Sequence, residues 1–206
     1  MKTHTVHLFV FDTMADWEAA YAISAINNPQ FQLVPGRFRV ATVAESLDPV
    51  TTMGGMRIQP DMALSHLSPV ASSLLILPGG EQWETGGNGL ALEKVRNFVS
   101  VGVPVAAICA ATVALARAGV LDNRRHTSND REYLAGTGYQ GGSHYCDVPA
   151  VTDKNVITAS GLAPIDFARE IFRMLNLYSG ATLEAWYALF KGCDPARFYD
   201  LVRSAA

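Results

Sequence analysis

The sequence predicts an α/β fold built on a mostly parallel β-sheet. Short apolar runs typical of buried strands alternate with segments in which apolar residues recur at helical spacing. Polar or glycine-rich turns separate most of these segments. Strands and helices that alternate in this way indicate parallel strands joined by right-handed helical crossovers. In such a sheet we expect the functional residues at the carboxyl ends of the strands.

The elements follow this alternation from the start of the chain. Residues 6–11, which are apolar except for His7, predict a buried strand, and residues 15–26 carry apolar side chains at the spacing of a helix. Residues 73–77 and 103–108 are further buried-strand runs. The other predicted elements are strand 37–43, short strands around a hairpin within 45–69, helices 90–101 and 110–119, a polar stretch at 122–129, a loop-rich segment marked by glycines at 136–142, a hairpin at 150–158, and helices 164–177, 183–190 and 195–202.

Length and composition predict one packed domain over residues 1–206, in which 181–206 form a C-terminal helical extension. The chain has 206 residues, of which 49% are apolar, and this suffices for a full core. Its formal net charge is −3, so the chain as a whole has no excess of positive charge. We therefore expect neither a nucleic-acid partner nor binding to an anionic membrane surface.

The cysteines and the start of the chain suggest a reducing compartment. Three cysteines, an odd number at wide spacings, argue against a disulfide framework. The first residues show no signal-peptide pattern, so we expect a cytoplasmic protein. The five histidines are scattered and no metal-binding motif is present. We expect no metal and no cofactor.

Cys109 lies where the apolar run 103–108 passes into the alanine-rich helix 110–119. A nucleophile at such a joint would project from a sharp strand-to-helix turn, beside the positive end of a helix. This environment would lower the pKa of the thiol and favour the thiolate. The alternative is a buried cysteine that packs as a small apolar residue. This stretch alone leaves both interpretations open.

Three motifs resemble the PfpI / Parkinson disease protein seven superfamily, whose members are relatives of class I glutamine amidotransferase domains. They are Leu-Pro-Gly-Gly at 77–80, Ala-Ile-Cys-Ala at 107–110 and Arg-His-Thr at 125–127, and an acidic residue precedes them in the first helix. The likeness covers roughly residues 4–178. The resemblance implies a flavodoxin-like three-layer sandwich with a nucleophile elbow, which agrees with the element order.

The resemblance also implies roles for three residues. Cys109 matches the reactive cysteine, and Glu18 matches the acidic residue that hydrogen-bonds the thiol and moves a proton, which requires a carboxyl pKa raised by burial. His126 matches a histidine that orients or activates the thiol in many relatives. The alternatives are a solvated helix residue for Glu18 and a surface histidine for His126.

The candidate oxyanion donors are the backbone amides of Gly80 and Ala110. The alternative for the Gly79-Gly80 pair is a tight turn alone. Asp16 is a secondary candidate, because an aspartate in this segment is catalytic in the related isocyanide hydratases. Its alternative role is to interact with the helix dipole. Gly79 and Thr112 are further secondary candidates.

Departures from the family pattern weaken three named activities. Ala110 stands where PfpI-type proteases carry a histidine, and residues 161–166 lack the His-x-Glu pair of glutamine amidotransferases. Isocyanide hydratases place a threonine directly after the cysteine, whereas here it is Thr112.

We therefore expect a cysteine-dependent hydrolase or lyase of deglycase or glyoxalase type. Its substrate would be a small carbonyl or amide-like molecule, and its other partner a second copy in a homodimer. One alternative is an oxidative-stress sensor or protective protein in which Cys109 is oxidised. Another is an intracellular protease or amidase, or an isocyanide hydratase-like enzyme.

Overall fold

The structure, a computed structural model, describes residues 3–204. Residues 1, 2, 205 and 206 of the predicted 1–206 domain lie outside the described residues. The strands are β1 (His4–Phe9), β2 (Phe38–Ala44), β3 (Val50–Thr51), β4 (Arg57–Ile58), β5 (Met62–Ala63), β6 (Leu74–Leu77), β7 (Val105–Ile108), β8 (Ala150–Asp153) and β9 (Val156–Ala159). The helices are α1 (Asp16–Asn27), α2 (Glu81–Glu84), α3 (Gly89–Ser100), α4 (Ala110–Arg117), α5 (Arg131–Ala135), α6 (Pro164–Leu175), α7 (Gly180–Gly192) and α8 (Arg197–Ser204).

Seven strands form one sheet in the order β5-β2-β1-β6-β7-β9-β8. All neighbouring pairs are parallel except β8 and β9, which form the antiparallel edge. Helices pack on both faces of the sheet. The predicted flavodoxin-like α/β sandwich is confirmed.

The central strands are buried on both faces, as their unbroken apolar sequences require. Every residue of β6 and β7 is buried. The helix α4 follows β7 and is buried from Ala110 through Ala116, because its small side chains allow close packing against neighbouring elements. The sheet core therefore fixes the position of the turn between β7 and α4.

Two short helices lie where the sequence predicted no helix. α2 follows the glycine pair after β6, and α5 lies between the polar stretch at 122–129 and the glycine-marked loop at 136–142. Asp130 begins α5 by accepting a hydrogen bond from the Glu132 amide. Helices of four and five residues are too short to show an apolar period, so the sequence pattern does not reveal them.

The C-terminal helices pack into the core. Leu183 and Trp186 of α7 are buried, and the Trp186 ring meets Phe172 of α6 edge-on. Asp166, buried near the start of α6, accepts hydrogen bonds from the Tyr187 hydroxyl at 2.7 Å and from Lys191 Nζ at 2.6 Å. Polar and apolar contacts together hold α7 on α6.

Within residues 3–204, every helix is too short or too polar to cross a lipid bilayer.

We predict that Asp166→Ala lowers the free energy of unfolding by about 1–2 kcal/mol, because two donors on α7 lose their acceptor. Urea unfolding followed by circular dichroism measures the change. The matched control is Asp200→Ala in α8, which removes only exposed ion pairs with Arg197 and Arg203. The control should leave the free energy of unfolding unchanged, and an equal loss in both variants would contradict this role of Asp166.

Candidate active site

Cys109 forms a strained turn between β7 and α4. Its backbone has φ 58° and ψ −129°, a sparsely populated conformation for a residue with a side chain. The Cys109 amide donates to the Ala159 carbonyl at 3.0 Å, and the Cys109 carbonyl accepts from the Thr112 hydroxyl at 2.6 Å. These contacts hold the strained turn in place. The predicted nucleophile elbow is therefore present.

Glu18 is fully buried in the first turn of α1. Its Oε2 accepts a hydrogen bond from the Gly79 amide at 2.5 Å. Its Oε1 is buried and has no hydrogen-bond partner other than the Cys109 thiol among the described residues. Burial raises the pKa of Glu18 to about 7, although the bonds with Gly79 and the Cys109 thiol oppose the rise. The carboxyl can therefore take up and release a proton near neutral pH.

The thiol of Cys109 differs from the sequence-based expectation. The helix beside it was expected to favour the thiolate, but burial, and then the charge of Glu18, raise the pKa of Cys109 to about 11. Hydrogen bonds from Asn129 and from the Ala110 amide lower the pKa only in part. The resting site therefore holds a neutral thiol beside a carboxyl that can accept its proton.

Asn129 is a site residue that sequence reasoning missed. Its Nδ2 donates to Cys109 Sγ at 3.2 Å, and its Oδ1 accepts from the Gly161 amide at 2.8 Å. Asn129 therefore links the thiol to the loop that follows β9. In the sequence it stands in a polar run directly before Asp130, where an asparagine is equally typical of a turn or a helix start.

The His126 imidazole forms its hydrogen bonds away from the thiol, and the residue is not the surface histidine of the alternative interpretation. The residue is buried, and its Nδ1 and Nε2 lie 2.8 Å from the Arg124 carbonyl and the Tyr139 hydroxyl. Its main chain also pairs with the segment at 144–146, through His126 N to the His144 carbonyl and Cys146 N to the His126 carbonyl. This pairing fixes the imidazole away from the elbow. Asn129, three residues further along the chain, forms the hydrogen bond with the thiol that the resemblance implied for His126.

Gly79 and Gly161 allow the thiol and the carboxyl to approach each other. A Cβ built on Gly161 would lie 2.8 Å from Cys109 Sγ and 3.1 Å from Glu18 Oε1. A Cβ on Gly79 would lie 2.7 Å from the Cys109 Cβ and 2.9 Å from Glu18 Oε2. Because real Cβ atoms do not approach so closely, only glycine fits these two positions. Gly161 was not singled out in the sequence.

The predicted oxyanion residues divide into two roles. The Gly79 amide already donates to Glu18, so this secondary candidate positions the acid. Gly80 and Ala110 line the same cavity as Cys109, and the Ala110 amide contacts the thiol. Their amides stay the candidate oxyanion donors.

Asp16 and Thr112 form hydrogen bonds with the main chain around the site and not with the Cys109 thiol or the Glu18 carboxyl. Asp16 Oδ2 accepts from the Gly54 amide at 2.7 Å and so holds the turn between β3 and β4 against α1. The Thr112 hydroxyl bonds the Cys109 carbonyl and lies 2.6 Å from the Ser128 hydroxyl. Both secondary candidates therefore position the main chain around the elbow.

A cavity of about 150 Å³ opens over the elbow. Its volume suits a molecule of a few heavy atoms. Residues 3–204 contain no cluster of three His, Cys, Asp or Glu side chains placed to hold a metal ion. The cavity is lined by Ala15, Trp17, Glu18, Met53, Gly80, Glu81, Glu84, Cys109 and Ala110.

A model of the DJ-1/PfpI family matches residues 4–174, most of the chain. The chain belongs to the DJ-1/PfpI family. The resemblance predicted from the motifs around Gly79 and Cys109 is confirmed. The crystal structure of a thiJ/pfpI family protein from Bacillus anthracis superimposes with a TM-score of 0.92 at 41% identity, and the match covers 100% of this chain and 98% of that chain.

Relatives in the DJ-1/PfpI family carry several activity names. The chain is 39% identical to the "Uncharacterized protease YoaZ" of Bacillus subtilis, over 99% of each protein. It is 30% identical to the "Glutathione-independent glyoxalase DJR-1.2" of Caenorhabditis elegans, over 70% of this chain and 77% of the relative. It is also 30% identical to the "Deglycase PH1704" of Pyrococcus horikoshii, over 62% of this chain and 76% of the relative. The family thus includes relatives named protease, glyoxalase and deglycase.

We predict that Glu18→Gln makes folding stability less dependent on pH. A carboxyl with a pKa of 4.5 in the unfolded chain and about 7 in the folded protein is ionised more readily when unfolded. The folded wild type therefore loses about 3 kcal/mol of stability as the pH rises from below 4.5 to above 7. Glutamine does not titrate. Urea unfolding at pH 5 and pH 8 should show a smaller loss in the variant, and an equal loss would place the pKa of Glu18 elsewhere.

We predict that Gly161→Ala slows alkylation of Cys109 by iodoacetamide about tenfold or more, because the new methyl group displaces the thiol. Mass spectrometry of the Cys109 peptide follows the rate. Gly89→Ala is the matched control, since a Cβ there meets no atom within 4 Å. Equal rates in the two variants would show that the loop after β9 does not position the thiol.

Proposed function

We propose that this protein is a cysteine-dependent enzyme of glyoxalase or deglycase type that acts on a small carbonyl compound. The observation that carries the proposal is the buried pair of Glu18 and Cys109. The carboxyl has a pKa of about 7, the thiol has a pKa of about 11, and both lie at the floor of a small cavity. A pair of this kind couples nucleophilic attack to proton transfer.

The first step is attack of Cys109 Sγ on the carbonyl carbon. Because the thiol is neutral at rest, its proton passes to the ionised Glu18 carboxylate as the carbon–sulfur bond forms. The carbonyl oxygen becomes an oxyanion, for which the amides of Gly80 and Ala110 are the donors. The strained elbow presents the sulfur to the cavity without a change in the main chain.

The second step depends on the substrate. With a 2-oxoaldehyde, the oxyanion takes the proton back from Glu18, which gives a hemithioacetal and restores the carboxylate. Glu18 is then the one buried base beside the adduct among the lining residues. Removal of the C1 proton and its return at C2 converts the hemithioacetal into a thioester. Water then releases a 2-hydroxy acid and regenerates the thiol, so the net reaction adds one water to the 2-oxoaldehyde.

The size of the cavity supports a small substrate. A volume of about 150 Å³ accommodates a 2-oxoaldehyde, whereas an extended peptide requires a longer groove. The names of the glyoxalase from C. elegans and the deglycase from P. horikoshii agree with this choice. The relative from B. subtilis named a protease favours the amidase alternative, but Ala110 stands where a protease histidine was expected.

We predict that wild type converts methylglyoxal to lactate, and that Cys109→Ser and Glu18→Gln each reduce kcat/KM at least 100-fold, in line with the loss of a nucleophile or a proton-transfer group. In wild type, kcat/KM should rise with pH through about 7, because Glu18 must be ionised to accept the thiol proton. Enzymatic assay of lactate measures the rate. Cys193→Ser, at an exposed cysteine, is the control and should leave turnover unchanged.

Equal rates in wild type and both site variants would overturn the proposal. In that case, intact-mass analysis after mild peroxide treatment tests the sensor alternative. A gain of two oxygens confined to Cys109 would identify an oxidisable cysteine as its function. An unmodified Cys109 would argue against both roles.

A further inference from the structure

The mouth of the cavity is acidic and apolar. Glu81 and Glu84 of α2 are exposed there, and the Trp17 and Met53 side chains are each 50% exposed beside them. Among residues 3–204, the side chains that line this cavity include no lysine, arginine or histidine. A charged ligand entering the cavity therefore meets negative charge and apolar surface.

Two contacts fix the position of the mouth. Trp17 Nε1 donates to the Gly161 carbonyl at 3.3 Å, which holds the indole ring beside the loop that packs on the thiol. The Tyr133 hydroxyl donates to Glu84 Oε1. The aromatic face and at least one carboxylate are thus positioned before any ligand arrives.

Arg117, which bonds to α2, does not form an ion pair with the glutamates at the mouth. Arg117 Nη1 donates to the main-chain carbonyls of Trp83 at 2.9 Å and Glu84 at 3.3 Å. Its guanidinium is thus bound to the main chain of α2, and no ion pair joins it to a carboxylate at the mouth among the described residues.

The floor of the cavity provides a second, independent feature. Glu18 Oε1 is fully buried and has no hydrogen-bond partner other than the Cys109 thiol among residues 3–204. A carboxylate oxygen can accept two hydrogen bonds, and a buried acceptor with a free lone pair favours a ligand that brings it an N–H or O–H group. The floor and the mouth therefore both prefer a ligand that donates hydrogen bonds.

We propose that the cavity selects carbonyl compounds that carry an ammonium or guanidinium group over those that carry a carboxylate. The inference deepens the proposed function, because it assumes that Cys109 is the attacking group. The cation would lie against the Trp17 ring and between Glu81 and Glu84, and its apolar stem would contact Met53. Cation–π contact and Coulomb attraction favour this arrangement. A carboxylate would be repelled by both glutamates.

Charged thiol reagents test the selection without any turnover. The cationic probe is 2-aminoethyl methanethiosulfonate, and the anionic probe is 2-sulfonatoethyl methanethiosulfonate. Peptide mass spectrometry gives the rate of each at Cys109, and the cation-to-anion ratio is divided by the same ratio for N-acetylcysteine. We expect a normalised ratio of about ten or more in wild type, and a lower ratio at high salt.

Variants of the glutamates at the mouth test whether these residues cause the preference for the cationic reagent. The double variant Glu81→Gln with Glu84→Gln should lower the normalised ratio at least fivefold, and Glu93→Gln, an exposed glutamate on α3, should leave it unchanged. The neutral reagent methyl methanethiosulfonate should react at similar rates with wild type and the double variant, which shows that the fold and access to the thiol are intact. A wild-type ratio near one, or a ratio unaffected by the double variant, would overturn the proposal. Because the assay needs only a reactive thiol, loss of methylglyoxal turnover would not affect its outcome.

Discussion

The burial of one carboxyl against one thiol is the constraint on which the site depends. Removing Glu18 from water raises the free energy of its ionised form, and the Gly79 amide offsets only part of that penalty. The protein tolerates the remainder because β6, β7 and β9 end side by side and bring Gly79, Cys109 and Gly161 together. The parallel sheet thus sets the distances that make the pair reactive.

Much of the fold could be predicted from the sequence, because its signals are local. The unbroken apolar runs that became β6 and β7 and the alternation of strands with helices indicated the parallel sheet. Cys109 and Glu18 could be selected as candidate site residues because the Gly-Gly turn and the cysteine elbow occur together in the expected order. The helices α2 and α5 could not be predicted, since each is shorter than two turns.

The rest of the site depends on contacts between distant segments. His126 and Asn129 lie in one polar run, and only the pairing of His126 with the segment at 144–146 decides which of them reaches the thiol. The pKa of Cys109 is a balance in which burial and Glu18 outweigh a helix end and an amide. A sequence displays the helix end but not the burial, so the thiolate was predicted where the structure holds a thiol.

The cavity mouth is built entirely from elements outside the seven-stranded sheet. Met53 lies in the turn between β3 and β4, the two glutamates lie on the short helix α2, and Trp17 lies on α1. Substitutions of the exposed side chains at the mouth leave the hydrogen bonding of the sheet, and hence the elbow, intact. Reaction chemistry and substrate choice can therefore evolve as separate modules, which provides a physical basis for one scaffold to serve relatives with different activities.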